Sequence, residues 1–240
     1  MRIDNEYIYF EPNEVPKMDK KITGHSFVDL LGFNPYTKVG DALLVLHGII
    51  KPQVDKKWLL RGDFAEDIVM KVYTRDFPNS VLFHYKDKKA IDYDNFKMLY
   101  KDFGGIIDIE DATLFKIIEV KSKNIKDYEK IQNVKPLHEV YQGLFYAFLR
   151  GYEDCTIEWV FFDDESENLI FEGKQPKTLK NLKKESYSIK VDKQEMKELC
   201  NKSFMIVRDF RRTLKIALKD ISPKVLNELK ILNELKEKMK

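Results

Sequence analysis

The sequence predicts an α/β protein whose core is followed by C-terminal helices. Three observations carry that prediction. Apolar residues recur at helical spacing in RGDFAEDIVMKVY, where Phe64, Ile68 and Val72 share one side, and again in HEVYQGLFYAF. Short runs rich in β-branched and aromatic residues, GGIIDIE, LFKIIEVKS and TIEWVFF, read as strands. With 240 residues and 43% hydrophobic content, the chain is long enough to bury one real core.

Taken in order, residues 1–20 read as an irregular arm or edge strand, followed by helices near residues 25–31 and 41–47 and a long helix over 63–73. Residues 81–85 and 96–100 alternate only weakly and read as short strands or loop, separated by a polar turn over 86–94. A hairpin follows in GGIIDIEDATLFKIIEVKS. The next helix starts at Pro136, stops at Gly151 and has a broad apolar face of Leu137, Val140, Tyr141, Leu144, Phe145 and Phe148. A strand over 156–162 completes the α/β core.

Residues 163–190 turn rich in Glu, Asn, Lys and Ser and read as a loop-heavy excursion, whose Lys177, Lys180, Lys183 and Lys184 suit a solvated face or phosphate contacts. Residues 192–218 read as a helix with an apolar stripe from Met196 to Leu218. After Pro223 a last helix carries Leu226, Leu229, Ile231, Leu232 and Leu235. That is more apolar than a lone surface tail needs, so it is expected to pack on its own core or on a second subunit. The expected division is a core over residues 1–190 and a helical appendage over 191–240.

Composition narrows the function classes. A net charge of +2 gives no global pull toward nucleic acid, so any DNA binding must come from local clusters of Lys and Arg. No apolar run approaches the ~20 residues of a membrane span. The start, MRIDNEYIYFEPNE, is acidic and lacks the apolar stretch of a secretory signal. Cys155 and Cys200 lie far apart, which argues against a zinc or iron–sulfur site and fits free thiols in a reducing cytoplasm. The absence of a Gly-rich phosphate loop argues against an ATP-driven motor, and no Ser/His/Asp arrangement is evident.

The chemistry concentrates in Asp108, Glu119 and Lys121. On a strand, Phe115, Ile117, Glu119 and Lys121 share one face, so a glutamate and a lysine replace the apolar residues expected at the end of a buried face. Such charges are costly unless a partner or metal compensates them. Hairpin register decides whether Asp108 joins them. A two-residue turn at Asp111 and Ala112 sets Asp108 opposite Phe115, roughly 13 Å from Glu119. A wider loop sets it opposite Glu119, where a hard cation such as Mg²⁺ can bridge the two. The wider loop is the expected one. A bound cation would neutralise phosphodiester charge, while Lys121 would hold the nucleophile or stabilise developing negative charge. The same three residues also suit an ordinary surface hairpin.

Four segments in order, ITGHSFVDLLGFNPYTKVGDAL, RGDFAEDIVMKVY, Asp108 with EVK, and HEVYQGLFYAF, resemble the YqaJ-type viral recombinases. These are phage lambda exonuclease-like members of the PD-(D/E)XK nuclease superfamily, and the resemblance spans about residues 22–162. It implies a restriction-endonuclease-like core, a mixed central sheet flanked by helices, with C-terminal helices. Glu66 matches the glutamate of the family's G-x-x-x-E helix, beside the metal site. Asp108 and Glu119 would bind the metal with the main-chain carbonyl of Val120, and Lys121 would be the catalytic lysine. Gln142 and Tyr146 match a Q-x-x-x-Y helix, with Gln142 near the reacting groups. Thr23 and Ser26 match a hydroxyl-rich motif that opens the first helix, which suits a phosphate or simple capping. Lys20, Lys21 and Arg61 are nearby cations for a DNA backbone. The family's Asp-Gly appears here as Asp108-Ile109, with Gly104 and Gly105 just upstream. His84 lies where some relatives carry a metal-binding histidine, but its flanks do not match and it stays outside the metal set.

The resemblance implies a Mg²⁺-dependent exonuclease, with Mn²⁺ as a substitute, that resects double-stranded DNA ends 5′ to 3′ in homologous recombination. It also implies a single-strand annealing protein as partner and a homo-oligomeric ring. An endonuclease on the same fold and an inactive DNA-end-binding module are the alternatives.

Overall fold

The protein was analysed as a computed structural model that describes residues 1–16, 21–52, 55–85, 102–174, 176 and 181–238. In chain order its elements are β1 (Arg2–Ile3), β2 (Tyr7–Tyr9), α1 (Gly24–Leu30), α2 (Val39–Leu46), α3 (Lys56–Asp76), β3 (Leu82–His84), β4 (Ile109–Asp111), β5 (Lys116–Asn124), α4 (Tyr128–Asn133) and α5 (Leu137–Arg150). They continue with β6 (Asp154–Phe162), α6 (Asp164–Phe171), β7 (Lys183–Lys190), α7 (Lys193–Thr213), β8 (Lys215–Ala217) and α8 (Pro223–Lys238). The expected strand at 96–100, the turn at 86–94, and Lys20, Lys177 and Lys180 lie outside the described residues.

The chain forms two units, one over Gln53–Met196 and one joining Met1–Pro52 to Lys197–Lys240. This differs from the division expected at residue 190, because the N-terminal arm is a partner of the C-terminal segment. β2 is the middle strand of a three-stranded sheet, antiparallel to β1 and to β8, with Ile8 opposite Ile216. Both isoleucines are buried. The helix expected to run to residue 218 stops at Thr213 instead. Leu214 takes a left-handed φ of 51°, and the chain turns into β8. In α8, Leu229 is buried and Leu226 half-buried, while Ile231, Leu232 and Leu235 are exposed.

The larger unit is built on a five-stranded mixed sheet in the order β3-β4-β5-β6-β7. Only β5 and β6 run parallel; the other neighbours are antiparallel. β6 is buried along nearly its whole length, which is why DCTIEWVFF is rich in apolar residues on both faces, whereas β5 is apolar only at Ile117, Ile118 and Val120 and turns half-buried and polar from Lys121 onward. On one face, Ile109, Ile118, Val120, Val160 and Phe162 pack with Ala65 and Val69 of α3 and Ile170 of α6. Each aliphatic side chain buried there contributes about 1.5–3 kcal/mol. α5 covers the other face.

Two further expectations are corrected here. α3 begins at Lys56, seven residues before the expected start, because Asp55 caps it by accepting from the Lys57 N–H at 3.0 Å. Its first turn carries exposed Trp58, Leu59 and Leu60, so the buried stripe begins only at Phe64 and Ala65. Residues 163–190 are not mainly loop: they hold α6, capped by Asp163, and the eight-residue edge strand β7. Among the described residues, no helix is long and apolar enough to cross a membrane.

Candidate active site

The hairpin takes the wider of the two registers open to the sequence. Ile109 pairs with Ile118, Glu110 with Ile117 and Asp111 with Lys116, so the ladder continued by one residue sets Asp108 opposite Glu119. The loop is four residues, 112–115, because the Asp111 carboxylate accepts from the N–H groups of Thr113 and Leu114, each at 3.0 Å. Phe115 closes it with a φ of 52°. Asp108 stands just outside β4, and one of its oxygens accepts from the Val120 N–H at 2.8 Å. Lys121 donates to Oε1 of Glu119 at 2.7 Å and to Oε1 of Gln142 at 3.0 Å. Asp108, Glu119, Lys121 and Gln142 are therefore brought together on the central strand β5, under α5 and just before the start of β4.

The electrostatics are unbalanced toward the anion. Burial pushes the Asp108 carboxyl well above the usual aspartate range, and the charges of Glu119 and Glu66 push it further, against the pull of Lys121 and the Val120 N–H. Glu66 is raised as well, by burial first, with His84 opposing it. The Lys121 ammonium loses stability through burial but gains more from Glu119, Asp108 and Glu139, so it holds its proton more firmly than a free lysine. The second oxygen of Glu119, which is 1% exposed, has no hydrogen-bond partner. A buried carboxylate oxygen without a donor, facing a second carboxylate across a ladder, is the environment a cation relieves. Among the described residues no three His, Cys, Asp or Glu side chains gather closely enough to hold a metal by themselves. A donor set of two carboxylates fits Mg²⁺, which keeps several waters and takes only one or two protein carboxylates.

A pH dependence follows. Because folded Asp108 binds its proton more tightly than the unfolded chain does, unfolding releases protons, and raising the pH above the ordinary aspartate value of about 4 lowers stability. In a chelator, the melting temperature is expected to fall as pH rises from there toward neutrality. Asp108→Asn should flatten that slope, as should added Mg²⁺; calorimetry across the pH range measures both.

α5 runs antiparallel to β5 and touches the same face at every step. Arg150 meets Glu110, Gln142 meets Lys121, and Glu139 meets Lys123. Between them Gly143 leaves no room for a side chain: a Cβ there would lie 2.5 Å from Ile157, 2.7 Å from the Cys155 sulfur and 3.2 Å from the Glu119 Cβ. That close approach lets the Gln142 amide reach Lys121. Glu139 went unnoticed in the sequence, although a glutamate on a broad apolar face three residues before Gln142 was the available signal. It is 5% exposed and accepts from the Trp159 indole at 2.5 Å.

Of the other expected site residues, Glu66 lies close enough to Asp108 and Glu119 for their charges to act on one another, and the rest are placed differently. Glu66 belongs to the same unit and bonds Nε2 of His84 at 3.1 Å, so the histidine set aside in the sequence lies beside it. Arg61 does not present its guanidinium outward. It bonds the Ser122 hydroxyl at 3.2 Å and carbonyl at 3.0 Å, pairs with Glu167, and stacks on Trp58. Its side chain is 11% exposed, which corrects the backbone-gripping role. Tyr146 is 4% exposed and covers Gly105, where a Cβ would lie 2.5 Å from its ring, so it is walled off from a ligand. Thr23 and Ser26 sit in the other unit and form a reciprocal cap: the Thr23 N–H donates to the Ser26 hydroxyl at 2.8 Å. Lys21 belongs to that unit too. Val120, expected to offer its carbonyl, is tied to Asp108 through its N–H.

No protein-family model and no curated protein sequence matches the chain. Solved structures do. The phage related exonuclease from Haemophilus somnus 129PT superposes with a TM-score of 0.54 at 15% identity, over 80% of this chain and 93% of that one. The alkaline exonuclease LHK-Exo from Laribacter hongkongensis gives 0.52 at 15% identity, over 81% and 89%. LHK-Exo in complex with dAMP gives 0.53 at 14% identity, with the same coverage. The motif resemblance and the architecture thus point the same way: the chain has the fold of the phage-related and alkaline exonucleases.

Proposed function

We propose that the protein is a Mg²⁺-dependent deoxyribonuclease that degrades double-stranded DNA from its ends, 5′ to 3′, and leaves single strands for an annealing protein in phage-type recombination. The observation that carries this reading is the register that sets Asp108 opposite Glu119, together with the buried Glu119 oxygen that has no donor and the Lys121 ammonium on its other oxygen. The exonucleases that share the fold, one of them in complex with dAMP, support the choice of substrate.

Asp108 and Glu119, with the Val120 carbonyl, would hold the cation, which when bound supplies charge neutralisation at the phosphate and a more acidic water. The chain's own groups do the positioning. The Val120 N–H fixes the Asp108 carboxylate, and Gln142 and Glu119 fix the Lys121 ammonium. Because the acidic neighbours keep Lys121 protonated, its role is that of a fixed positive charge facing the oxygens that gain charge, rather than a base. Glu66, polarised by His84, stands where it can orient a water. The proposal extends to self-association through the exposed Ile231, Leu232 and Leu235 of α8, and to the cytoplasm of a bacterial host as the place of action.

The test compares linear duplex with covalently closed circular DNA in Mg²⁺. Release of nucleotides from the linear form, with the closed circle spared, is the expected result. Cleavage of the circle would reassign the chain as an endonuclease. End binding without hydrolysis in Mg²⁺ or Mn²⁺ would leave only a binding module.

A further inference from the structure

The catalytic face of β5 does not end at Lys121. Lys123 lies two residues on, so its side chain leaves the same face about 7 Å farther along, at roughly 3.3 Å per residue. Its ammonium is 2.5 Å from Oε1 of Glu139, and the side chain remains 25% exposed. Glu139 is itself held: its other oxygen accepts from the Trp159 indole, and Trp159 is fully buried on β6 beside Lys121. Near it on α5, His138 places Nε2 3.6 Å from the same Glu139 oxygen. A buried carboxylate clamped by an indole is an expensive way to support a surface lysine, and stability alone does not call for it. An ammonium has three N–H donors, and the Glu139 contact occupies one of them.

We propose that Lys123, positioned by Glu139, forms a subsite for a DNA phosphate adjacent to the one undergoing hydrolysis. Lys121 and Lys123 leave one strand face about 7 Å apart at the backbone, at roughly 3.3 Å per residue, a step of the size that separates successive phosphates along a nucleic-acid strand. Glu139 holds the Lys123 ammonium toward α5, while Gln142, less than one turn on, does the same for Lys121. Lys123 is a substrate contact; Glu139 is a positioning residue that holds it, and its charge also favours the Lys121 ammonium. The subsite rests on the nuclease reading for its substrate, but binding tests it without turnover.

The experiment measures affinity for a short duplex in Ca²⁺ over a range of salt, with wild type, Lys123→Met and the double variant Lys123→Met/Glu139→Gln. The double variant guards against misfolding, since it removes both charges of the buried pair and keeps an acceptor for the Trp159 indole. Both variants should reduce the salt slope of log Kd by about one, the signature of one lost phosphate contact. An uncharged methylphosphonate placed on one side or the other of the first scissile linkage should weaken wild-type binding by up to about tenfold at one position. The same substitution should leave both variants indifferent. In Mg²⁺, Lys123→Met should raise KM about tenfold with kcat within about threefold. An unchanged salt slope, or variants as sensitive to the neutral linkage as wild type, overturns the subsite. If wild type binds with the expected slope yet releases no nucleotide, the nuclease reading falls and the subsite stands. No binding at all removes both.

Discussion

Glu119→Ala and Lys121→Ala are each expected to lower Mg²⁺-dependent nucleotide release from a linear duplex by about 10²–10³-fold, with DNA affinity changed only slightly. The size follows from what each removes. Glu119 is one of two carboxylates set opposite each other at the end of the β4–β5 ladder, and its second oxygen is buried without a hydrogen-bond donor. Lys121 is the fixed charge beside it, and loss of one preorganised group that meets developing charge costs on the order of 10²–10³-fold. The two residues share one hydrogen-bonded network with Gln142, so the double variant should be little worse than either single one. Single-turnover hydrolysis, with binding measured separately, distinguishes this from a general loss of DNA affinity. Near-wild-type rates in either variant would remove the assigned centre.

Glu110→Ala should lower the stability of the larger unit by about 3 kcal/mol, or roughly 6–12 °C in melting temperature. Glu110 is 1% exposed and receives both arms of Arg150 at 2.9 Å, the Tyr85 hydroxyl at 2.6 Å and the Tyr152 hydroxyl. Burial pushes its carboxyl up, but the hydrogen bonds from Arg150, Tyr152 and Tyr85 outweigh it and hold the group below the ordinary glutamate range. Removing the carboxylate leaves a guanidinium and two hydroxyls without their acceptor. The contribution is present above the unfolded glutamate value of about 4.3 and is lost as acid protonates the folded group. Thermal unfolding should therefore show a gap between wild type and variant that is full at pH 7 and narrows as the pH is taken below about 4.3 and through the folded value of the group. An unchanged gap would mean that the network contributes through packing rather than charge.

Much of this centre was legible because charge is conspicuous on a strand that otherwise reads apolar. Glu119 and Lys121 interrupt a face begun by Ile117, and no surface hairpin needs Ile117, Ile118 and Val120 buried around them. Register was harder, since it depends on a loop whose width is set by the Asp111 side chain. An aspartate followed two residues on by threonine is a weak sign of such a turn, and the positive φ of Phe115 leaves none. Arg61 and Tyr146 show the opposite limit: residue type suggested a ligand, while tertiary packing assigned both to internal partners. Strand β7 was obscured by composition, because an edge strand with one face on the sheet and one in water shows only Tyr187 and Ile189 as half-buried apolar residues among Lys, Glu and Ser. The pairing of β2 with β8 joins residues some two hundred positions apart, beyond the reach of any local pattern.

The alignment of α5 with β5 gives the clustered polar groups a common mechanical reference. Arg150, Gly143, Gln142 and Glu139 project from one rigid rod onto successive points of one strand face and its neighbour. Such a rod tolerates no change in phase: inserting a single residue after Gln142 turns everything beyond it by about 100°. Arg150 and Gly143 would then swing off the sheet together, although neither touches the scissile bond. Length variation in homologous chains should consequently collect before Pro136 and after Gly151, leaving the intervening fourteen positions of fixed count.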